Sequence, residues 1–284
     1  EDGNVVVTTG HPDIGGSRAS IANITAELLG IDVNRVSVLI GDTATIGFSN
    51  LTGGSRVLFA SALVVTESTN QVIDILKDRA SKIWNIDKEA IEWENGEARP
   101  AGDNAGKFKP LSLVELAEQA TPTGGPIGAG HQVNTVGAEG GFATHICDVE
   151  VDIELGIARV IRYTAAQDVG KAIHPAYVEG QLQGGVVQGI GWALNEEYIY
   201  NKEGKLDNPG FLDYRIPVCS DLPMIDTILV EVPNPQHPQG VRGVGEVPIV
   251  PPLSAIANAI YNAIGTRFYS LPMSPPKVLE KISD

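Results

Sequence analysis

The sequence predicts an α/β protein with mixed sheets, arranged as two α/β subdomains. In the first third of the chain, β-branched runs alternate with apolar residues at helical spacing. Later, a long stretch of alternating residues is typical of antiparallel strands. Glycine and proline are concentrated between these segments and indicate loops. The 43% apolar content suffices for the core of one large or two moderate domains.

The residue pattern in the first part of the chain predicts four elements in the order strand, helix, strand, helix. Its elements are a strand at 5–9, a helix carrying Ile21, Ile24 and Leu28 that ends at Gly30, a strand at 36–40, and a helix from 53–55 to about Lys82. Asn95-Gly96 then predicts a hairpin, and Ser112 with Glu115 a capping box for a short helix.

Glycine and proline dominate 121–131, so we expect the first subdomain at 1–130 and the second at 131–284. The sequence of the second subdomain predicts an antiparallel pair of strands, a helix, a further strand and a final helix. These elements are the pair at 142–167 broken by Leu155-Gly156, a helix at 175–195, a strand at 227–232, a loop at 233–252, and a helix on Leu253, Ile256, Ala257, Ile260 and Ile264.

Charge and cysteine content exclude several classes of protein. Acidic residues outnumber basic ones 35 to 20, so binding to nucleic acid or to an anionic membrane is not expected. The apolar runs are shorter than the roughly 20 residues of a membrane span, and the first residues lack the basic start of a signal peptide. Cys147 and Cys219 fit a reducing compartment, and we expect a cytoplasmic protein. Since no methionine opens the sequence, the natural polypeptide is expected to begin earlier.

The tetrapeptide Gly-Gly-Ser-Arg occurs twice, at 15–18 and 53–56, each time ahead of a predicted helix. Unpaired amides at a helix start, a hydroxyl and a guanidinium favour an anion such as a phosphate, so both copies could hold one phosphorylated cofactor. The alternative for each copy is a serine-capped helix. The stretch 10–17 also has Walker A glycine spacing, but Gly16 replaces the essential lysine, which argues against nucleotide hydrolysis.

A single carboxylate, Glu246, lies among small residues in the Pro/Gly-rich loop, just ahead of the last predicted helix. The nearby helix start favours its ionised form and a dry pocket its protonated form, a balance that suits a general base. A structural capping role is an equally good interpretation of these residues. His145 and Cys147 share a strand face, but no second ligand pair with zinc spacing follows.

Together these motifs resemble, in order, the C-terminal molybdenum-cofactor domain of the xanthine dehydrogenase/aldehyde oxidase family. The resemblance covers essentially the whole chain. It is carried by Asp13-Ile14-Gly15-Gly16, Thr52-Gly53-Gly54-Ser55, 165–170, 180–189, 212–217, Gly243-Val244-Gly245-Glu246 and 255–260.

The resemblance implies a role for each matching residue. Glu246 would be the catalytic base beside the metal, which is itself held through the pterin dithiolene rather than by protein ligands. The residues implied to contact the cofactor are Ile14, Gly15, Gly16, Ser17, Arg18, Thr52, Gly53, Gly54, Ser55, Arg56, Gln181, Val244 and Gly245. Two departures stand out: many relatives have glutamine at the position of Gly16 and proline at that of Val247.

The implied activity is hydroxylation of an N-heterocycle or aldehyde with water as the oxygen source. The implied cofactor is molybdopterin, as Mo-molybdopterin or its cytosine dinucleotide form, with 2Fe-2S clusters and FAD on partner domains or subunits. An N-terminal molybdenum-binding half would complete the pocket, so the isolated chain is expected to be inactive. The alternative is a non-catalytic assembly or scaffold module of the same fold that no longer binds the cofactor.

Overall fold

A computed structural model describes residues 2–46, 48–135 and 140–283. The chain forms two compact units: unit 1 is Glu1–Ala138 with Pro235–Gln239, and unit 2 is Glu139–Asn234 with Gly240–Asp284. Both contain helices packed on sheets, which confirms the predicted mixed α/β class. The boundary after residue 130 stays a prediction.

Unit 1 follows the predicted order of elements. These are β1 Val5–Thr9, α1 Ser17–Leu29, β2 Val36–Ile40, α2 Val57–Trp84, β3 Ile91–Glu94, β4 Glu97–Pro100, β5 Leu111–Ser112, α3 Leu113–Glu118 and α4 Ala120–Thr123.

Local signals explain where these elements end. Gly30 adopts a left-handed φ of 68° and its amide caps the last carbonyls of α1, as predicted. Asn95 and Gly96 take φ of 51° and 77°, the pair of positive values that a tight hairpin between β3 and β4 requires. The predicted capping box joins Ser112 and Glu115 at the start of α3.

Two sheets and two long helices organise unit 1. β1 and β2 pair in parallel, with Val5 opposite Val36, and β3, β4 and β5 form an antiparallel sheet. The core joins the end of α1 to the second half of α2 and to β3. It contains Leu29, Leu76, Ala80, Trp84, Ile91, Ala98, Leu113 and Leu116.

Unit 2 contains one three-stranded sheet covered by helices. Its elements are β6 Ala143–Asp152, β7 Ile157–Asp168, α5 Pro175–Leu194, β8 Ile225–Val230, α6 Pro251–Ile264 and α7 Pro275–Ser283. β6 and β7 pair antiparallel around the predicted turn at Gly156, and β8 joins β7 in parallel after the α5 crossover. Tyr163, Val186, Ile190, Ile256 and Ile260 lie in the core beneath α5 and α6.

Two features of unit 2 differ from the sequence-based expectation. β8 begins two residues earlier than predicted, because the buried Ile225 pairs with Tyr163 while exposed Val232 is followed by proline. The short helix α7 was not predicted, since its first two residues are prolines, although such residues suit a first helical turn.

One described segment, Val247–Ile264, has the length and composition of a membrane span, with mean hydropathy 1.3. It is broken into a 3₁₀ turn, Val247–Ile249, and α6, which starts at Pro251. Ile256 and Ile260 of α6 are fully buried against the sheet of unit 2, whereas 22% of the whole segment is buried.

Candidate functional site

The first Gly-Gly-Ser-Arg copy forms the turn between β1 and α1. Gly15 and Gly16 have φ of 60° and 75°, left-handed values that suit glycine, and Gly16 is the N-cap residue just before α1. Ile14 and Gly15 are exposed. Within the described part of the chain, the Gly15 and Gly16 amides donate to no protein acceptor. The turn therefore presents open backbone N–H groups at a helix N-terminus.

The next two residues are engaged within the turn itself. The Ser17 hydroxyl is buried, donates to the Pro12 carbonyl at 3.3 Å and accepts from the Ile14 amide at 3.3 Å. The Arg18 guanidinium pairs with Asp13 at 3.1 Å and is half exposed. Ser17 thus stabilises the shape of the turn, while Arg18 places a positive charge at its surface.

The second copy forms the turn that leads into α2. Gly54 and Ser55 have φ of 69° and 59°, and a Cβ added to Gly54 would have no atom within 4 Å. Thr52 and Gly54 are exposed, and Gly53 is partly exposed. Neither α1 nor α2 has a side-chain N-cap, so the serine-capped alternative is wrong for both copies.

Both turns lie at the same end of unit 1. Leu29, at the end of α1, packs with Leu76 and Ala80 in the second half of α2. At the other end, His11 Nδ1, ahead of α1, lies 3.2 Å from Ser61 Oγ near the start of α2. The two helices therefore run in the same direction, and both positive dipole ends fall where β1 and β2 also end.

Arg56 and His11 are the cationic and titratable groups beside these turns. The Arg56 guanidinium donates to Leu51 O at 3.4 Å and to Thr135 Oγ1 at 3.3 Å. Partial burial, together with the charge of Arg56, lowers the pKa of His11. His11 is therefore neutral at neutral pH, and Arg56 supplies the positive charge at this point.

In unit 2, Glu246 lies in the loop that packs on α5. Its side chain is exposed, and the residues before it, 243–245, are partly buried. The 3₁₀ turn that follows Glu246 packs on α5, where a Cβ on Gly185 would fall 2.4 Å from Pro248 and one on Gly189 2.6 Å from Pro252. Gln181 is one turn before Gly185 on the same helix face, so unit 2 brings Gln181 and the Glu246 loop to one region.

This contact predicts different outcomes at two adjacent glycines. Gly185→Ala is expected to destabilise the chain by about 1–3 kcal/mol, because the new methyl group overlaps Pro248 and displaces the Glu246 turn. Gly184→Ala, the matched control, meets no atom within 4 Å and should stabilise α5 by about 0.5–1 kcal/mol. Urea unfolding of both variants measures the difference. Equal stabilities would show that Gly185 does not determine the position of the turn.

A buried ion pair that the sequence analysis did not identify anchors the start of this loop. Arg242 Nε lies 3.2 Å from Asp168 Oδ2 at the end of β7, and the two side chains are 10% and 12% exposed. Asp168 Oδ1 also accepts the Gly170 amide at 3.0 Å. The guanidinium donates to the carbonyl oxygens of Val232 and Gly140. The pair holds the loop four residues before Glu246.

His145 and Cys147 lie on the sheet beneath the helices of unit 2 rather than in a metal site. His145 Nδ1 is 2.9 Å from the Tyr163 hydroxyl, and burial lowers the pKa of His145 to about 4. Burial raises the pKa of the Cys147 thiol to about 11 and also raises that of Tyr163. All three are therefore neutral at neutral pH. Among the described residues no group of three metal-ligating side chains was found.

The structure thus brings the predicted residues together in two groups. Unit 1 places the turns at 14–18 and 52–56 at one end, and unit 2 packs the turn that follows Glu246 on α5, one helical turn from Gln181. That the two groups surround a single cofactor stays a prediction.

The chain is similar in sequence to a protein family and to two known proteins. A family model for the molybdopterin cofactor-binding domain matches residues 1–223. The chain is 30% identical over 294 residues to a putative xanthine dehydrogenase molybdenum-binding subunit of Escherichia coli K12, covering 99% of this chain and 38% of that protein. It is also 30% identical over 290 residues to the nicotine 6-hydroxylase large subunit of Paenarthrobacter nicotinovorans. This match covers 98% of this chain and 35% of that protein.

Among solved structures, quinoline 2-oxidoreductase from Pseudomonas putida 86 superposes with a TM-score of 0.86 at 26% identity. The match covers 98% of this chain and 36% of that one. The chain therefore spans a little more than a third of the length of these relatives.

Proposed function

Because this chain belongs to the molybdopterin cofactor-binding domain family, within the molybdenum-binding subunits of the xanthine dehydrogenase type, we propose that it is the catalytic half of a molybdenum hydroxylase. Its substrate is an N-heterocycle or an aldehyde, and water is the oxygen source. Relatives named for xanthine, nicotine and quinoline support a heterocyclic substrate, and one named an aldehyde oxidoreductase supports the second class.

The observation that carries the proposal is the pair of glycine turns at the N-terminal ends of two parallel helices. The positive φ values of both turns, the open Gly15 and Gly16 amides and the adjacent Arg18 and Arg56 fit the phosphate and pterin of a molybdopterin. Either the simple cofactor or its cytosine dinucleotide form has the anionic groups that such turns bind. The residues that would hold it are Ile14, Gly15, Gly16, Ser17, Arg18, Thr52, Gly53, Gly54, Ser55, Arg56, Gln181, Val244 and Gly245.

When bound, the cofactor supplies a two-electron oxidant for the substrate carbon. The Glu246 carboxylate takes the proton from the water-derived nucleophile, a role that requires an ionised carboxylate aimed at a fixed place. The Asp168–Arg242 pair and the contact of Pro248 with Gly185 fix the loop on either side of Glu246. An anchored loop preserves the geometry that proton transfer needs.

The proposal includes partners, because the chain is about a third of its relatives' length. An N-terminal molybdenum-binding half completes the large subunit and its substrate pocket, so the isolated chain is inactive. Electrons leave toward 2Fe-2S clusters and FAD on partner domains or subunits. Each 2Fe-2S cluster takes four ligands, and this sequence has two cysteines, Cys147 and Cys219.

A second candidate function is an assembly or scaffold module that has kept the fold without the cofactor. The feature that favours it is Gly16, where many members of the family carry a glutamine. The exposed Glu246 on an anchored loop favours the catalytic function over the scaffold function.

Molybdenum and pterin analysis of the complex purified from its native host tests the proposal. We expect about one molybdenum per large subunit. Gly54→Val, which forces a β-branched residue into a left-handed conformation at a cost of about 1–3 kcal/mol, should lower the molybdenum content. Gly102→Val is the matched control, since Gly102 also has positive φ and open space but lies outside both turns. An intact native complex without molybdenum and pterin would refute the enzyme and favour the scaffold.

A further inference from the structure

The β1–β2 sheet of unit 1 has an open edge. β1 pairs with β2 on one side, and among the described residues no strand pairs with its other side. Parallel sheets are ordinarily covered on both faces, and two-stranded sheets are marginal alone. Here Val6 and Leu39, on the outer face, are 62% and 54% exposed. The sheet therefore has the properties of a fragment of a larger one.

A cavity of about 820 Å³ follows the open edge of β1. Each residue from Val5 to His11 lines it, whereas none of β2 does. Because consecutive side chains of a strand point to opposite faces, an unbroken run of lining residues indicates a cavity along the edge of the strand rather than over one face. Unpaired backbone groups of β1 are thus available inside it.

The opposite wall is one face of α2, built from small and β-branched side chains that permit close approach by a backbone. Its residues are Ala60, Ser61, Val64, Val65, Ser68, Thr69 and Val72. The segment 129–135 closes the cavity and is held to unit 1 by His131, 3.3 Å from Gln71, and by Thr135, which accepts from Arg56. The shape is that of a slot between a strand edge and a helix.

The residues before β1 form a tight turn. The Asn4 amide donates to Asp2 Oδ1 at 3.0 Å, and Gly3 is buried with φ of 69°. A Cβ on Gly3 would lie 2.7 Å from Val114 Cγ2, and the positive φ also disfavours other residues, so this position favours glycine. An Asp-Gly pair with positive φ at the glycine, separated from β1 only by Asn4, is typical of a hairpin turn, and a hairpin places its first strand antiparallel to the second.

We propose that a strand of the longer large subunit, joined to β1 through the Asp2–Gly3 turn, pairs antiparallel with β1 and fills this cavity. This inference depends on the proposed function in one respect, namely that the chain is part of a longer large subunit that supplies the strand. Main-chain hydrogen bonds to β1 supply the affinity, and the narrow α2 wall selects small apolar side chains on the face that points toward it. The strand matches β1 in length, about five residues.

Hydrogen exchange measured by mass spectrometry tests the strand. The 284-residue chain is compared with the same polypeptide extended to the start of its reading frame. We expect the amides of 5–9 that point away from β2 to exchange at least tenfold more slowly in the extended protein, and the amides of α6 to exchange at the same rate in both. Equal exchange at 5–9 would overturn the proposal. Slow exchange of these open-edge amides already in the 284-residue chain would also overturn it, because a segment such as 129–135 would then occupy the edge.

A matched pair of proline variants gives a second readout. Consecutive N–H groups of a strand point to opposite edges, so one of Val6→Pro and Val7→Pro removes a donor to β2 and the other a donor to the open edge. In the 284-residue chain, one variant should lower the denaturant midpoint much more than the other. In the extended protein both variants should lower the denaturant midpoint. A difference between the two variants that persists in the extended protein would contradict the proposed strand. Neither readout uses the cofactor, so a negative result here would not contradict the proposed function. Conversely, absence of molybdenum from the native complex would not contradict the proposed strand.

Discussion

Glu246→Gln in the assembled enzyme is expected to lower turnover by about 10²-fold or more while molybdenum and pterin stay bound. Glutamine keeps the size and most hydrogen bonds of glutamate but cannot take a proton. The exposed side chain makes folding insensitive to the change, so the loss should appear in kcat. Dye-linked oxidation of an N-heterocycle or aldehyde that the unmodified complex turns over measures it, with metal analysis of the same sample.

The matched control is Glu203→Gln, an isosteric change at an exposed glutamate in the turn at 201–205. Its turnover should equal that of the unmodified complex. Near-normal turnover of Glu246→Gln with full molybdenum content would remove Glu246 from the catalytic role. The structural capping role predicted as its alternative is wrong, because the Glu246 side chain makes no cap hydrogen bond to the 3₁₀ turn that follows it, and α6 begins after Val250.

Asp168→Asn should have the largest effect on stability, lowering the free energy of unfolding by about 3–5 kcal/mol. The change removes the Asp168 carboxylate from its contact with the largely buried Arg242 guanidinium, while the amide oxygen can still accept from Gly170. Urea unfolding of the chain measures the loss. Because Arg242 begins the segment that carries Glu246, the same variant should lower turnover in the assembled enzyme.

An exposed ion pair provides the comparison for this effect. Asp78 and Lys82 lie 2.7 Å apart on α2, with both side chains about half exposed, so Asp78→Asn should cost less than about 1 kcal/mol. The double variant Asp168→Asn with Arg242→Met should lose less than the sum of the two single variants, since the two side chains are in direct contact and each single change already breaks that contact. If Asp168→Asn were no more costly than Asp78→Asn, the buried pair would not anchor the loop.

Elements with strong local signals were predictable from sequence. β1, β2 and α5 begin and end within about a residue of their expected positions, because β-branched runs, Pro175 and the flanking glycines act locally. The two glycine turns were also predictable as turns. Their shared location follows from the parallel packing of α1 on α2, which sequence periodicity does not specify.

Contacts between distant residues could not be predicted. Asp168 and Arg242 are paired by the return of the chain to the end of β7, and nothing near either residue indicates its partner. The five residues 235–239 belong to unit 1 although the residues on both sides belong to unit 2. There, His237 Nε2 contacts the Phe59 carbonyl at 3.0 Å on α2, and burial lowers the pKa of this histidine. Such pairings depend on tertiary structure alone.

The glycines of α5 also affect how unit 2 folds. Five of its twenty residues are glycine, each costing about 0.5–1 kcal/mol of helix propensity relative to alanine. In the denatured ensemble this segment should therefore show little residual helicity, and it should consolidate only after the β6–β7 hairpin offers a surface. The late-forming helix is the one on which the Glu246 loop packs, so this loop should be among the last parts of the domain to acquire its native geometry.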